Sequence, residues 1–241
     1  MSLKNDKERR FWEIRNKIYS LFLKKFIPYD ELIDVVIKEL SLNKEVYILD
    51  AGCGPGLLEK RIILENAPSI QIEAIDISER IINIARENNK YSCSPNINFR
   101  TADLNEKLGY KDQNFDTIVC INVFYLLERP KDTLLEFYRI LKRGGKIIII
   151  TPKYNFNYSP LLKRHFTEAI RLKKIIDIIV LPFILGLIFF FEFVITIRER
   201  KGRYHRFKKE DISKLFQEAG FRDVRISDCY AQQNFLIVAK R

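Results

Sequence analysis

The stretch Val46-Tyr47-Ile48-Leu49-Asp50-Ala51-Gly52-Cys53-Gly54-Pro55-Gly56 constrains this chain more than any other. A short apolar run ends in an acid and enters a turn with glycine at every second position, after which residues 56–66 take up helical spacing. Strand, glycine turn and helix together suit a nucleotide. Glycines let the backbone approach a ligand, and the helix N-terminus behind them offers unpaired N–H groups. The spacing is G-x-G-x-G with an acid two residues before the first glycine, whereas the dinucleotide fingerprint is G-x-G-x-x-G. Taken alone, such a turn serves either a ligand or plain packing.

Upstream, residues 6–41 read as two helices. The first carries Phe11, Ile14, Ile18, Leu21 and Phe22, and the second, after Pro28, carries Leu32, Ile33, Val36, Ile37 and Leu40 on one face. Packing on a sheet is the expected role of the first, with a lid over the site as the alternative. Downstream of the turn the pattern predicts a strand over 71–76, a helix over 78–89, strands over 96–101 and 115–121, a helix over 131–142 and a strand over 146–150. Short apolar strands alternating with helices imply an α/β fold, doubly wound, with a mostly parallel sheet covered on both faces. Ligands in such sheets sit at the carboxyl ends of the strands. Asp50, Gly52 and Gly54, then Asp76, Asp103 and Asn122 all fall there.

Asp76 follows Gly56 by twenty residues and faces the crevice beside the first strand, where a carboxylate can accept bonds from both hydroxyls of a ribose. Its other reading is a turn or cap acid, and Ser78 is the expected N-cap of the next helix. Asp103, in Ala102-Asp103-Leu104, is either an acceptor for the exocyclic amine of an adenine or a solvated loop acid.

The set Val46–Gly56, Asp76, Ala102-Asp103-Leu104, Phe115–Pro130 and Tyr138–Ile150 resembles the class I S-adenosylmethionine-dependent methyltransferases, especially their small-molecule, quinone and lipid branch. The resemblance covers roughly residues 30–151 and returns over 204–240. It implies a Rossmann-like fold with a seven-stranded sheet and an α-helical insertion before the last helix and strand hairpin. The expected parts are N-terminal helices over 1–45, a cofactor-binding core over 46–151, an apolar, basic-flanked cap over 152–206, and a C-terminal helix and hairpin over 207–241. It also implies roles. Ala51, Gly52, Cys53, Gly54 and Gly56 pass along the cofactor, with Asp50 directed toward its amino group. Asp76 and the following Ile77 border the ribose, Asp103 and Leu104 the adenine, and Asn122 the methionine end. Arg143-Gly144-Gly145 is a structural turn between helix and strand. There are departures from the pattern. Tyr125-Leu126 stands where many relatives have Glu-His, which removes an acceptor-side histidine there. The Asn-Pro-Pro-aromatic tetrad of nucleic-acid amino-methyltransferases and the Pro-Cys nucleophile of RNA cytosine enzymes are both missing, so Cys120 reads as core.

The net charge of +11 concentrates in the insertion: residues 152–210 hold 13 of the 42 lysines and arginines but 5 of the 31 acids. Within it, residues 175–197 form an apolar run whose charge-free centre, 178–191, is 14 residues long. Spanning a bilayer takes about 20. Lys163, Arg164, Arg171, Lys173 and Lys174 precede the run, and Arg198, Arg200, Lys201, Arg203, Arg206, Lys208 and Lys209 follow it. Two readings stay open: peripheral contact with an anionic membrane through 163–209, or a cap over the acceptor pocket that also pairs with a second subunit. The apolar run argues against a nucleic-acid partner.

Cys53, Cys93, Cys120 and Cys229 form no C-x-x-C pair, so neither a metal site nor a disulfide framework is expected. With no apolar signal segment at the N-terminus, a cytoplasmic setting follows, with membrane association as an extension. The expected reaction is in-line displacement at a sulfonium methyl by a small lipophilic acceptor, with Tyr125, Tyr154, His165 and His205 as the groups able to act as a base; the alternatives are RNA or protein methylation through the basic insertion and a non-catalytic membrane- or partner-binding module that retains the fold.

Overall fold

The computed structural model describes residues 26–40, 42, 45–65, 69–90, 96–173, 186 and 205–241. The expected helix over residues 6–25, Cys93, nearly all of the apolar run 175–197, and the basic residues Lys174, Arg198, Arg200, Lys201 and Arg203 lie outside the described residues.

Helix α1 (Ile27–Glu39) takes Pro28 in its first turn, where a missing N–H costs nothing, and buries Leu32, Ile33 and Val36. Then come β1 (Val46–Ala51), α2 (Leu57–Leu64), β2 (Ile70–Asp76), α3 (Glu79–Asn89), β3 (Ile97–Thr101) and β4 (Phe115–Ile121). Helix α4 (Pro130–Ile140), β5 (Leu141–Pro152), α5 (Ser159–Arg171), α6 (Lys209–Glu218), β6 (Arg222–Cys229) and β7 (Asn234–Lys240) complete the chain. The seven strands form one sheet in the order β3-β2-β1-β4-β5-β7-β6, parallel except for β7, which runs antiparallel to both β5 and β6. The order reverses between β1 and β4, the switch point at which open α/β sheets bind ligands.

Both faces of the sheet are buried, which is why its central strands are continuously apolar. In β5, Ile148 and Ile150 face the side covered by α1, α2 and α5, while Ile147 and Ile149 face α4 and α6. β1 alternates likewise, Ile48 toward the first side and Leu49 toward the second. Helix α6 ends at a glycine. Gly220 (φ +93°) follows it, and the Phe221 amide donates to the Phe216 carbonyl at 3.0 Å.

One boundary differs. The expected helix 131–142 and strand 146–150 meet earlier, because α4 stops at Ile140 and β5 starts at Leu141. Pairing passes from Phe115↔Leu141 to Thr117↔Lys146, so Arg143-Gly144-Gly145 is a bulge within β5 rather than a turn ahead of it. Close packing explains Gly145, since a Cβ there would stand 2.9 Å from the Asp116 carbonyl.

Candidate functional site

The glycine turn is held open by its neighbours' backbone. The amides of Gly52 and Cys53 both donate to the Ile75 carbonyl, at 2.8 and 2.9 Å, tying the end of β1 to β2. All three glycines have positive φ, and Gly56 is the N-cap of α2. A Cβ on Gly52 would lie 2.4 Å from Val123 Cγ2, and one on Gly56 would lie 2.6 Å from Asn89 Nδ2. Gly54 has nothing within 4 Å of that position, so the turn leaves bare backbone facing open space. On α3, Asn88 Nδ2 donates to the Pro55 carbonyl at 2.7 Å and Asn89 Nδ2 to the Gly56 carbonyl at 3.0 Å. Those two asparagines brace the turn, and nothing in the residues around them marks them for it.

Asp76 sits at the end of β2 with only 9% of its surface exposed. Its Oδ2 accepts the Gly54 amide at 3.2 Å and its Oδ1 the Ser78 amide at 3.0 Å. Burial raises its pKa while those backbone donors oppose the shift. Ser78 caps α3 as expected, its hydroxyl accepting from Ile81 N–H at 3.3 Å. The Asp76 carbonyl accepts the Ala102 amide at 3.0 Å, which draws the loop carrying Asp103 and buried Leu104 beside it. Asp103 Oδ1 is taken up locally by the amide and side chain of Asn105, both at 2.9 Å. Asn122, after β4, has φ +55°; its amide donates to the Ile150 carbonyl, and its Oδ1 accepts Asn234 Nδ2 at 2.6 Å. With Val123 close against Gly52, these bonds bring the turn, Asp76, the Ala102–Leu104 loop and Asn122 to the carboxyl edge of the sheet at the switch point.

Main-chain bonds bring the segments that carry three of the four candidate bases to that edge. The His205 amide donates to the Tyr125 carbonyl at 2.8 Å, the Tyr154 amide to the Phe207 carbonyl at 3.1 Å, and Lys208 Nζ lies 5.6 Å from the Tyr154 ring centroid. Phe207 is buried and stacks on Phe124 at 5.3 Å, so it anchors the returning chain against the loop after β4. His165 does not join them. It is buried on α5, its ring 5.2 Å from Phe26 and its Nδ1 accepting the Ile27 amide at 3.4 Å, so it packs α1 on α5.

Cys120 lies in the core as expected, fully buried, and burial pushes its thiol well above the ordinary range. Among the described residues there is no cluster of three or more His, Cys, Asp or Glu able to hold a metal ion. No helix among them is long and apolar enough to cross a membrane.

A parallel sheet with an acid-ended β1, an open glycine turn at the switch point and a second acid closing β2 defines a Rossmann-like nucleotide-binding protein. The family model described as "Methyltransferase domain" matches residues 42–220, and the chain belongs to that family, the class I S-adenosylmethionine-dependent methyltransferases. Malonyl-[acyl-carrier protein] O-methyltransferase of Halalkalibacterium halodurans is 32% identical over 43% of this chain and 38% of its own length. Ubiquinone biosynthesis O-methyltransferase of Coxiella burnetii is 31% identical over 50% of this chain and 49% of its own. The chain thus spans about half or less of the curated relatives it matches. A crystallised SAM-dependent methyltransferase from Aquifex aeolicus superposes with a TM-score of 0.61 over 93% of this chain and 97% of that one, at 20% identity, a likeness of fold.

The cofactor of this family is S-adenosylmethionine, and the crevice suits it. The bare backbone at Gly54 leaves room for a flat, extended ligand, and Asp50 Oδ1 is a buried acceptor with no partner among the described residues, fit for a cation.

Proposed function

We propose that this domain transfers a methyl group from S-adenosylmethionine to a small lipophilic acceptor of lipid-headgroup, quinone or isoprenoid type. The observation that carries this reading is the rim opposite the glycine turn. There half-buried Tyr125 and exposed Tyr154 stand near His205 and Lys208, backed from inside by the buried Phe124–Phe207 stack, so aromatic side chains and a few polar groups share that edge. The two curated relatives, named as O-methyltransferases of malonyl-[acyl-carrier protein] and of ubiquinone biosynthesis, support an oxygen acceptor.

When bound, the cofactor supplies a sulfonium methyl, already electrophilic, so the protein's work is alignment and exclusion of water. The turn and Asp76 would hold the nucleoside end, with Asp103 and Leu104 beside the base and Asn122 near the methionine. His205, Tyr125 or Tyr154 would take a proton from an acceptor hydroxyl. The basic residues of 163–209 also support contact with anionic lipid. Part of that charge is spent inside the fold, since Arg164 pairs with Glu31 at 2.8 Å and Arg171 with Glu168 at 2.6 Å.

The test incubates the protein with methyl-labelled cofactor and a whole-cell extract, then separates organic from aqueous phases. Label in the organic phase supports a lipophilic acceptor. Label confined to RNA or protein overturns it, and no transfer at all favours a binding module that retains the fold.

A further inference from the structure

Two carboxyls behind the glycine turn lack the partners that buried charges require. Asp50 follows Ile48 by two positions on β1 and so faces the side that α2 covers. Glu59 leaves the first turn of α2 between Leu58 and Ile62, both buried, and is itself fully buried. Asp50 Oδ1 and both Glu59 oxygens have no hydrogen-bond donor among the described residues. Two carboxylates are acceptors only and cannot satisfy each other, whereas one proton between them satisfies both.

The remaining titratable groups around the pair are acids as well. Asp76 on β2 acts on Asp50, and the thiols of Cys53 in the turn and Cys120 on β4 sense the same charges. Burial raises Asp50 to about 7 against a bond from Glu59, and burial together with the field of Asp50 raises Glu59 well above its ordinary range.

We infer that Glu59 keeps a proton at neutral pH and donates it to Asp50, so that the couple presents a single, directed negative charge to the ammonium group of the cofactor's methionine. Glu59 is then a positioning residue that acts through Asp50. The inference rests on reading the turn as the S-adenosylmethionine site. An ammonium at Asp50 favours its ionised form, so below neutral pH the proton still on Asp50 leaves for solvent as the cofactor binds.

Titration calorimetry in two buffers of different ionisation enthalpy counts that proton. At pH 6.5 S-adenosylmethionine should release roughly half a proton or more per site, falling toward zero by pH 8.5. S-Adenosylhomocysteine, a neutral thioether that keeps the ammonium, should release as much, and methylthioadenosine, a thioether without the ammonium, should release none. Glu59→Gln, which keeps a neutral donor toward Asp50, should bind within about threefold of wild type with the same pH midpoint. Glu59→Ala should shift that midpoint up by a unit or more, weakening binding about tenfold at pH 7 and recovering it at higher pH. Proton release from methylthioadenosine equal to that from S-adenosylhomocysteine, none from S-adenosylmethionine, an unshifted midpoint in Glu59→Ala, or a tenfold loss in Glu59→Gln would each overturn the inference. Binding without proton exchange leaves the cofactor reading intact; absence of any S-adenosylmethionine binding overturns that reading and this inference together.

Discussion

Around β1 and β2 the carboxyl edge of the sheet carries three buried acids, Asp50, Glu59 and Asp76, behind a turn of bare glycine backbone. Around β4 and β5 the same edge carries aromatic rings, Tyr154 at 62% exposure, and the exposed Lys208. The first rim is fixed by main-chain hydrogen bonds to Ile75, Asp76 and the α3 asparagines, which leave little room for variation. The second is assembled from the loop after β4, the residues after β5 and the segment 205–208 ahead of α6, joined by backbone bonds at Tyr125 and Phe207. A rim held by main-chain geometry suits a constant ligand, and one built from variable segments suits the ligand that differs between relatives.

The sharpest way to break that contrast is Gly52→Ala. With φ +89° and Val123 at 2.4 Å from the new Cβ, the substitution should cost about 3 kcal/mol of stability and at least about a hundredfold in cofactor affinity. Gly54→Ala makes the informative partner, because its Cβ meets nothing within 4 Å. Its melting temperature should fall much less while cofactor binding is still lost, and equal losses in both would show that the open space is not where the ligand lies.

Asp76→Ala should weaken cofactor binding by about tenfold or more, since the Gly54 and Ser78 amides lose their acceptor as well as the ribose losing its own. Calorimetry reads the affinity, and an unchanged value would remove Asp76 from the site.

Stability against pH tests the buried acids without any ligand. Asp50, Glu59 and Asp76 all have raised pKa values, so between the unfolded carboxylate range and about 7 the folded chain binds more protons than the unfolded one. Unfolding free energy should therefore fall as pH rises through that window, by up to about 1.4 kcal/mol per unit for each such group. Denaturant titrations from pH 5 to 8 should show this slope in wild type and a shallower one in Glu59→Gln. The smallest effect is expected on the second rim. Lys208→Glu should raise the acceptor KM severalfold for an anionic acceptor and leave cofactor affinity unchanged.

Much of the cofactor rim was legible because it is local. A glycine run behind an apolar strand, an acid at the end of the next strand and Ser78 ahead of a helix are each set by neighbouring residues, and α3 and β4 fall within a residue of their expected limits. Asp103 kept two readings, and the structure engages one of its oxygens with Asn105 without excluding the other role. Glu59 was missed although it left a trace, an acid among the apolar positions Leu58 and Ile62 of a helical stripe. Asn89 and Asn234 left none, because an asparagine is ordinary at a helix end or a strand start, and only distant chain makes it a brace.

What the sequence determined by itself is the class of the domain, through turn chemistry and alternating apolar periods that short stretches of chain impose on themselves. Only the tertiary structure decided which acids lose their solvent, that His165 serves packing while His205 returns to Tyr125 across eighty residues of chain, and that Asp50 and Glu59 face each other. Burial and long-range pairing depend on where separate elements meet, and a window of sequence holds neither the solvent exposure of Asp50 and Glu59 nor, for Tyr125, the distant partner.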